Sequence, residues 1–194
     1  VLSITSSDTG EATVTSSLTF TSANWDTAQV VTVTGVDDDL IDGTITSTTT
    51  ISVNDAASDN NFDGVADQTV SVSTTDDDVA GFTIMELDGS TTVTEAGGTD
   101  TFTVVLNAQP SSNVVLSISS SDTGEATVTS TLTFTSANWD TAQVVTVTGV
   151  DDDLVDGTET STMTISIVDV ASDDNFDAVA DQTVSVSTTD DDVA

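Results

Sequence analysis

Thr101-Phe102-Thr103-Val104-Val105-Leu106 places Phe102, Val104 and Leu106 on one side of an extended chain. That period of two is the mark of a half-buried β-strand. Thr164–Val168 repeats it with Ile165 and Ile167. Working outward, similar short runs are read at Gly81–Met85, Thr91–Thr94, Asp100–Asn107, Asn113–Ser119, Ala126–Phe134, Gln143–Val150, Thr158–Val168 and Gln182–Thr188. Turn-forming clusters separate them: Glu95-Ala96-Gly97-Gly98, Gln109-Pro110-Ser111, Ser121-Asp122-Thr123-Gly124 and Asp156-Gly157. No segment carries a helical period. Seven or eight short strands in this length predict an all-β fold, an antiparallel β-sandwich of the immunoglobulin-like kind.

The chain also repeats itself. Val1–Ala80 returns as Val115–Ala194 at an offset of 114 residues, with ten of the 80 paired positions changed. Most changes are mild, such as Ser17/Thr131, Ile41/Val155 and Val53/Ile167. A period of this length is one autonomous domain, far above the roughly 20–50 residues of a solenoid repeat. Gly81–Val114 occurs once and holds the first strands of the pattern. Residues 81–194 are therefore expected to form one complete sandwich, and residues 1–80 a repeat lacking its opening strands. The join, Thr74-Thr75-Asp76-Asp77-Asp78-Val79-Ala80-Gly81, is short and acidic.

Charge sets the next constraint. The 194 residues contain no Lys, Arg, His, Cys or Tyr, and the 34 acidic residues, 29 of them Asp, give a net charge of −34. Every side-chain charge repels every other, and self-repulsion opposes compaction. A disordered acidic tail does not fit, because 36% of residues are hydrophobic and periodically placed. The counter-charge must come from outside, and carboxylate oxygens select hard cations, Ca²⁺ or Mg²⁺. With no basic side chain to meet phosphate, nucleic acid and anionic membrane are excluded as direct partners. No apolar run approaches the ~20 residues of a membrane span. Without His, Lys, Cys or Tyr, most nucleophile and base arrangements are unavailable, and the chain is read as not an enzyme.

Three motifs carry oxygen ligands. Gly-Val-Asp-Asp-Asp-Leu-(Ile/Val)-Asp-Gly stands at Gly35–Gly43 and Gly149–Gly157, where a Val-rich strand ends in Asp37, Asp38 and Asp39, or Asp151, Asp152 and Asp153. Where a strand ends the chain can turn, so adjacent carboxylates can converge on one ion; a solvated acidic turn is the plainer reading. A second triple, Asp76, Asp77 and Asp78, and again Asp190, Asp191 and Asp192, ends the last strand of each copy. The third is Asp59-Asn60-Asn61-Phe62-Asp63-Gly64. Asp59, Asn61 and Asp63 match the oxygen positions that open an EF-hand loop, with Asp67 at the ninth position, but Val70 holds the twelfth, where a Glu belongs. An Asx-rich turn is the alternative, and Ala178 replaces Gly64 in the second copy. Trp25 and Trp139, each in Ser-Ala-Asn-Trp-Asp-Thr, are read as plugs at an end of the sandwich, with sugar stacking as the other reading.

Residues 81–194 resemble a Calx-β domain, through Val93-Thr94-Glu95-Ala96-Gly97-Gly98-Thr99, Ser121-Asp122-Thr123-Gly124, Leu132-Thr133-Phe134, the Val145–Asp153 strand, Glu159 and the terminal Asp190–Asp192. The resemblance implies a cluster of Ca²⁺ at one tip, held by Glu95, Asp122, Asp151, Asp152, Asp153, Glu159, Asp190, Asp191 and Asp192. In the first copy it implies Asp8 and the two triples, but Ile45 replaces Glu159 and no residue corresponds to Glu95. The function expected is a calcium-binding structural extender repeat of a secreted or cell-surface bacterial adhesin, stiffened by Ca²⁺ at strand ends and at the junction. Its direct partners would be neighbouring repeats, and any host or biofilm ligand would be met by other domains of the parent. The alternative is an adhesive module that itself binds glycan or protein.

Overall fold

The computed structural model describes Val1–Val193. The chain divides into two compact units, Val1–Asp77 and Asp78–Ala194. In the first lie β1 (Leu2–Ser6), β2 (Ala12–Val14), β3 (Ser17–Leu18), β4 (Val33–Gly35), β5 (Ile45–Val53) and β6 (Gln68–Thr74). In the second lie β7 (Phe82–Glu86), β8 (Thr91–Thr94), β9 (Thr99–Leu106), β10 (Val114–Ser120), β11 (Ala126–Val128), β12 (Thr131–Phe134), β13 (Gln143–Gly149), β14 (Glu159–Ile167) and β15 (Gln182–Thr189). Apart from short 3₁₀ turns such as Asn60–Phe62 and Asp174–Phe176, the regular structure is all β.

The second unit is a β-sandwich. One sheet runs β12-β10-β14-β15-β8 and the other β11-β13-β9-β7. The period-two pattern decides which side chains meet between them. Phe102, Val104, Leu106, Val145 and Val147 face inward from one sheet, and Leu116, Met163, Ile165, Val184 and Val186 from the other. Phe134 and Phe176 complete a core from which water is excluded.

Two features depart from a plain reading of the strands. Ala126–Phe134, expected as one strand, is two: β11 pairs with β13 and β12 with β10, in different sheets. The chain changes sheets at Thr129-Ser130, where Thr129 N donates to Thr146 O and Ile118 N to Ser130 O, so both sheets use its backbone polar groups. And β8 lies parallel to β15, Thr91 opposite Val186 through Thr94 opposite Thr189, in an otherwise antiparallel fold.

The first unit keeps the same pairings where it has the strands. Its larger sheet is β3-β1-β5-β6 and its second is only β2-β4. Among the described residues, no strand covers the outer side of β4 or of β6. Trp25 is 72% exposed, and Trp139 is half-buried. Trp25 is therefore not the core plug the sequence suggested, and the buried aromatic side chains of the second unit are Phe82, Phe102, Phe134 and Phe176.

Candidate metal centre

The parallel pairing of β8 with β15 builds one side of the site. It sets Thr94 opposite Thr189, so Glu95 follows directly beside the Asp190–Asp192 run, and Glu95 N donates to Thr189 O at 3.1 Å. The pairing of β11 with β13 builds the other. Ala126 lies opposite Gly149, and Val150 N donates to Glu125 O at 2.9 Å, which brings Glu125 against the Asp151–Asp153 run. Gly149 is required here. A Cβ on it would stand 2.1 Å from the Thr94 carbonyl oxygen, so only glycine lets β8 cross the end of β13.

Two groups of carboxylates result. In one, Glu95, Asp152 and Asp192 each offer an oxygen within 4.8 Å of the others; in the second, Glu125, Asp152 and Asp156 do the same. Asp152 belongs to both. Glu95 is 1% exposed, and neither of its carboxylate oxygens has a hydrogen-bond partner. Glu125 Oε2 and Asp192 Oδ2 are likewise shielded and unpartnered. Such orphaned oxygens are costly in a folded interior and call for a compensating donor or ion.

The electrostatics follow. Burial, then the charges of Asp190, Asp156, Glu125 and Asp152, push the Glu95 carboxyl up to about 7. Burial raises Glu125 too, with Asp156, Asp122, Asp152 and Glu159 adding to it. Asp192 is raised by burial and by Asp190, Asp153, Asp191 and Asp151. Asp190 runs the other way. It is held below the usual carboxylate range by Gly157 N, 2.8 Å from its Oδ2, and Asp192 N, 2.7 Å from its Oδ1. It thus shapes the loop that carries the other oxygens.

The remaining expected ligands fall around this pair of groups. Asp122 Oδ1 accepts from Gly124 N at 2.9 Å and closes the turn before Glu125. Asp151, Asp153, Glu159 and Asp191 lie exposed at the same tip and act on the buried carboxyls through their charge. Neither Glu125 nor Asp156 was named as a ligand from the sequence, where Asp156 was read only as part of the Gly149–Gly157 motif and its turn. Glu125 stood one residue past a recognised Asp-x-Gly turn, and its signal was that Glu is rare here, five of 34 acidic residues.

In the first unit, Glu11, Asp38 and Asp42 form the group equivalent to Glu125, Asp152 and Asp156. Val36 N donates to Glu11 O at 2.9 Å, the same link that positions Glu125. Burial and then Asp42, Asp38, Asp8 and Asp76 raise Glu11. Asp8 Oδ1 closes its turn on Gly10 N, and Asp76 Oδ2 accepts from Asp42 N and Gly43 N. Asp37, Asp39 and Asp77 are not members of the group, and Asp78 is the first residue of the second unit. The group built on Glu95 has no counterpart here.

The EF-hand-like run lies apart from both. Asp59 Oδ1 accepts from Asn61 N and Nδ2 and caps the 3₁₀ turn, with Asp63 at its other end. In the second unit its equivalent Asp173 is buried, and its oxygens accept from Ser111 N, Ser111 Oγ, Ser112 N and Asn175 N. Burial would raise that carboxyl, but these bonds outweigh it and hold it below its ordinary value.

No protein-family model matches the chain, and no curated protein sequence matches it. Solved structures do. Domains 4 and 5 of the S-layer protein SbsC match over 97% of this chain and 70% of theirs, at 18% identity and TM-score 0.46. The apo form of the Calx CBD1 domain matches over 57% of this chain and 98% of its own, at 17% identity and TM-score 0.41. An MSP-domain-like protein of Caenorhabditis elegans, SSP-19, matches over 52% and 92%, at 18% identity and TM-score 0.34. At these identities and scores the matches say nothing of what the chain binds or does.

Proposed function

We propose that this chain is a calcium-binding structural repeat of an extracellular, cell-surface protein, with no catalytic role. The observation that carries the reading is Glu95, an almost fully buried carboxylate with both oxygens unpartnered, facing Asp152 and Asp192. A chain without a single Lys, Arg or His cannot supply the missing positive charge. The donor set is all oxygen, which suits a hard divalent ion. Glu95, Asp152 and Asp192 would hold one Ca²⁺, and Glu125, Asp152 and Asp156 a second, with Asp152 shared. Bound Ca²⁺ supplies the counter-charge that lets β8, the β13–β14 loop and the end of β15 converge.

Binding to the folded state alone stabilises it by mass action, about 2.7 kcal/mol per site at a hundredfold excess over Kd. Such a repeat would become fully stable only where calcium is plentiful, outside the cell. Ions at Asp76, Asp77 and Asp78 would also stiffen the join, a finer reading carried by the sequence; X-ray scattering in calcium and in chelator would test it through a change in chain dimensions. The deciding experiment for the site is Glu95→Gln. It should remove about half of the calcium-induced rise in the second unit's melting temperature, the share of one site of two, while leaving the chelated protein folded. Equal calcium responses in wild type and variant would reject the site.

A further inference from the structure

Asp-Gly occurs four times in the chain, at Asp42-Gly43, Asp63-Gly64, Asp88-Gly89 and Asp156-Gly157. At such a pair the backbone can react with its own side chain, because glycine has no Cβ to shield its amide nitrogen. Chain neighbours apart, none of these glycines has an atom within 4 Å of the position a Cβ would take. Crowding therefore does not tell them apart.

The partners of their amides do. Gly157 N donates to Asp190 Oδ2 at 2.8 Å, and Gly43 N to Asp76 Oδ2 at 2.8 Å. In both units the first Asp of the terminal triple thus holds the glycine amide of the carboxylate loop. Asp190 is itself fixed by Asp192 N, 2.7 Å from its Oδ1. Gly89 N reaches only Glu86 O, at 3.4 Å, near the limit of a hydrogen bond. Gly64 N has no acceptor among the described residues. Asp63, Gly64, Asp88 and Gly89 are all exposed. Asp177 and Ala178, which replace Asp63 and Gly64 in the second unit, are exposed too, so the openness of this turn is common to both units.

We propose that Asp63-Gly64 and Asp88-Gly89 are sites of spontaneous isoaspartate formation, and that Asp190 and Asp76 keep the same reaction out of the carboxylate loops by holding the amides of Gly157 and Gly43. In this reaction the glycine nitrogen attacks the side-chain carbonyl carbon of the preceding Asp. A C–N bond forms, the amide proton and the hydroxyl of the protonated carboxyl leave as water, and a cyclic imide results. Water then opens the imide at the main-chain carbonyl. The original peptide C–N bond breaks there, and the chain runs on through the side chain, one methylene longer.

To attack, the nitrogen must give up its proton and swing onto the side chain. A carboxylate acceptor opposes both steps, since its charge disfavours a second negative charge and its bond fixes the amide. Breaking a hydrogen bond to a charged group first should slow the attack by at least about tenfold. Asp88 has the greater consequence, because its turn leads from β7 in one sheet to β8 in the other, and β8 runs directly into Glu95.

The test holds the full folded chain in warm neutral buffer, releases peptides with chymotrypsin and scores isoaspartate by electron-transfer mass spectrometry. Isoaspartate should build up at Asp63 and Asp88, and at least about tenfold less at Asp42 and Asp156. Asp177 should also stay low, because the methyl of Ala178 shields the nitrogen. In urea, where the clamps are gone, every Asp-Gly pair should react alike. Asp190→Ala should raise Asp156 toward the level of Asp88 and leave Asp42 low; if that variant does not fold, Asp76→Ala asks the same of Asp42. The proposal is overturned if Asp63 and Asp88 stay unmodified, if Asp42 or Asp156 keeps pace with them in the folded chain, if Asp177 keeps pace with Asp63, or if removing the clamp leaves its pair as inert as before.

Discussion

Phe62 and Phe176 sit in nearly the same local sequence, end equivalent 3₁₀ turns and follow equivalent strands, yet one is exposed and the other is core. Asp59 and Asp173, three residues earlier, differ in the same way. Asp59 holds only its own turn, while Asp173 reaches across to Ser111 and Ser112 at the end of the segment that the first unit lacks. Two near-identical stretches of one chain therefore give a built-in measure of what Gly81–Val114 contributes to the second unit. It supplies the second sheet's missing half, the partner of a buried carboxylate, and Glu95.

Calcium should separate the units most. In chelator and then in saturating calcium, the second unit's transition should rise by more than the first unit's, because only it has the Glu95 group beside the Glu125 group. Two sites at a hundredfold excess over Kd amount to about 5 kcal/mol, against half that for one. Equal shifts, followed by separate Trp25 and Trp139 signals, would break the comparison.

Truncating the two Phe residues comes next. Phe176→Ala should cost about 3–5 kcal/mol, the usual range for a buried Phe, and Phe62→Ala no more than about 0.5 kcal/mol. Denaturant unfolding measures both.

Asp173→Asn should destabilise by about 1–3 kcal/mol, since it disturbs an acceptor shared by Ser111 and Ser112. Asp59→Asn should be close to neutral, because an Asn side chain can cap the same turn. A matching loss at both positions would mean that the contacts to Ser111 and Ser112 contribute nothing.

The smallest expected effect is on pH. In the folded chain Glu95 titrates at about 7, above its ordinary 4.5, so folding favours its protonated form. Its contribution is fully present below about pH 4.5 and is lost as pH rises through about 7. Asp173 and Asp190 are held below the ordinary Asp value, so their contribution is present above that value and lost as pH falls through their lowered range. Chelated protein should therefore be most stable between these limits and weaken toward neutrality, more in the second unit than in the first. Calcium, which needs ionised Glu95, should remove that decline. A chelated second unit equally stable at mildly acidic and neutral pH would count against the buried Glu95.

Much of this was legible in the residues. Alternation at Thr101–Leu106 and Thr164–Val168 reports local geometry, so the strands and the sandwich follow from it directly. The Asp triples at strand ends likewise marked the tip, because a run of like charges with no cation in the chain has few places to go. The break within Ala126–Phe134 was not legible, since a change of sheet leaves the period of two intact. Nor was Glu125, whose importance depends on which strand lies beside β11.

Sequence by itself determined that the chain is β-structured, repeated, and acidic without a basic side chain, because period, identity and composition are properties of the chain alone. Only the tertiary structure decided which carboxylates share a site and which phenylalanines are buried. Those outcomes depend on non-local pairing: β8 beside β15 makes Glu95 a neighbour of Asp192, and β9 beside β13 closes over the core. Where the segment carrying β8 and β9 is missing, the same residues that form a core in one unit stand open in the other.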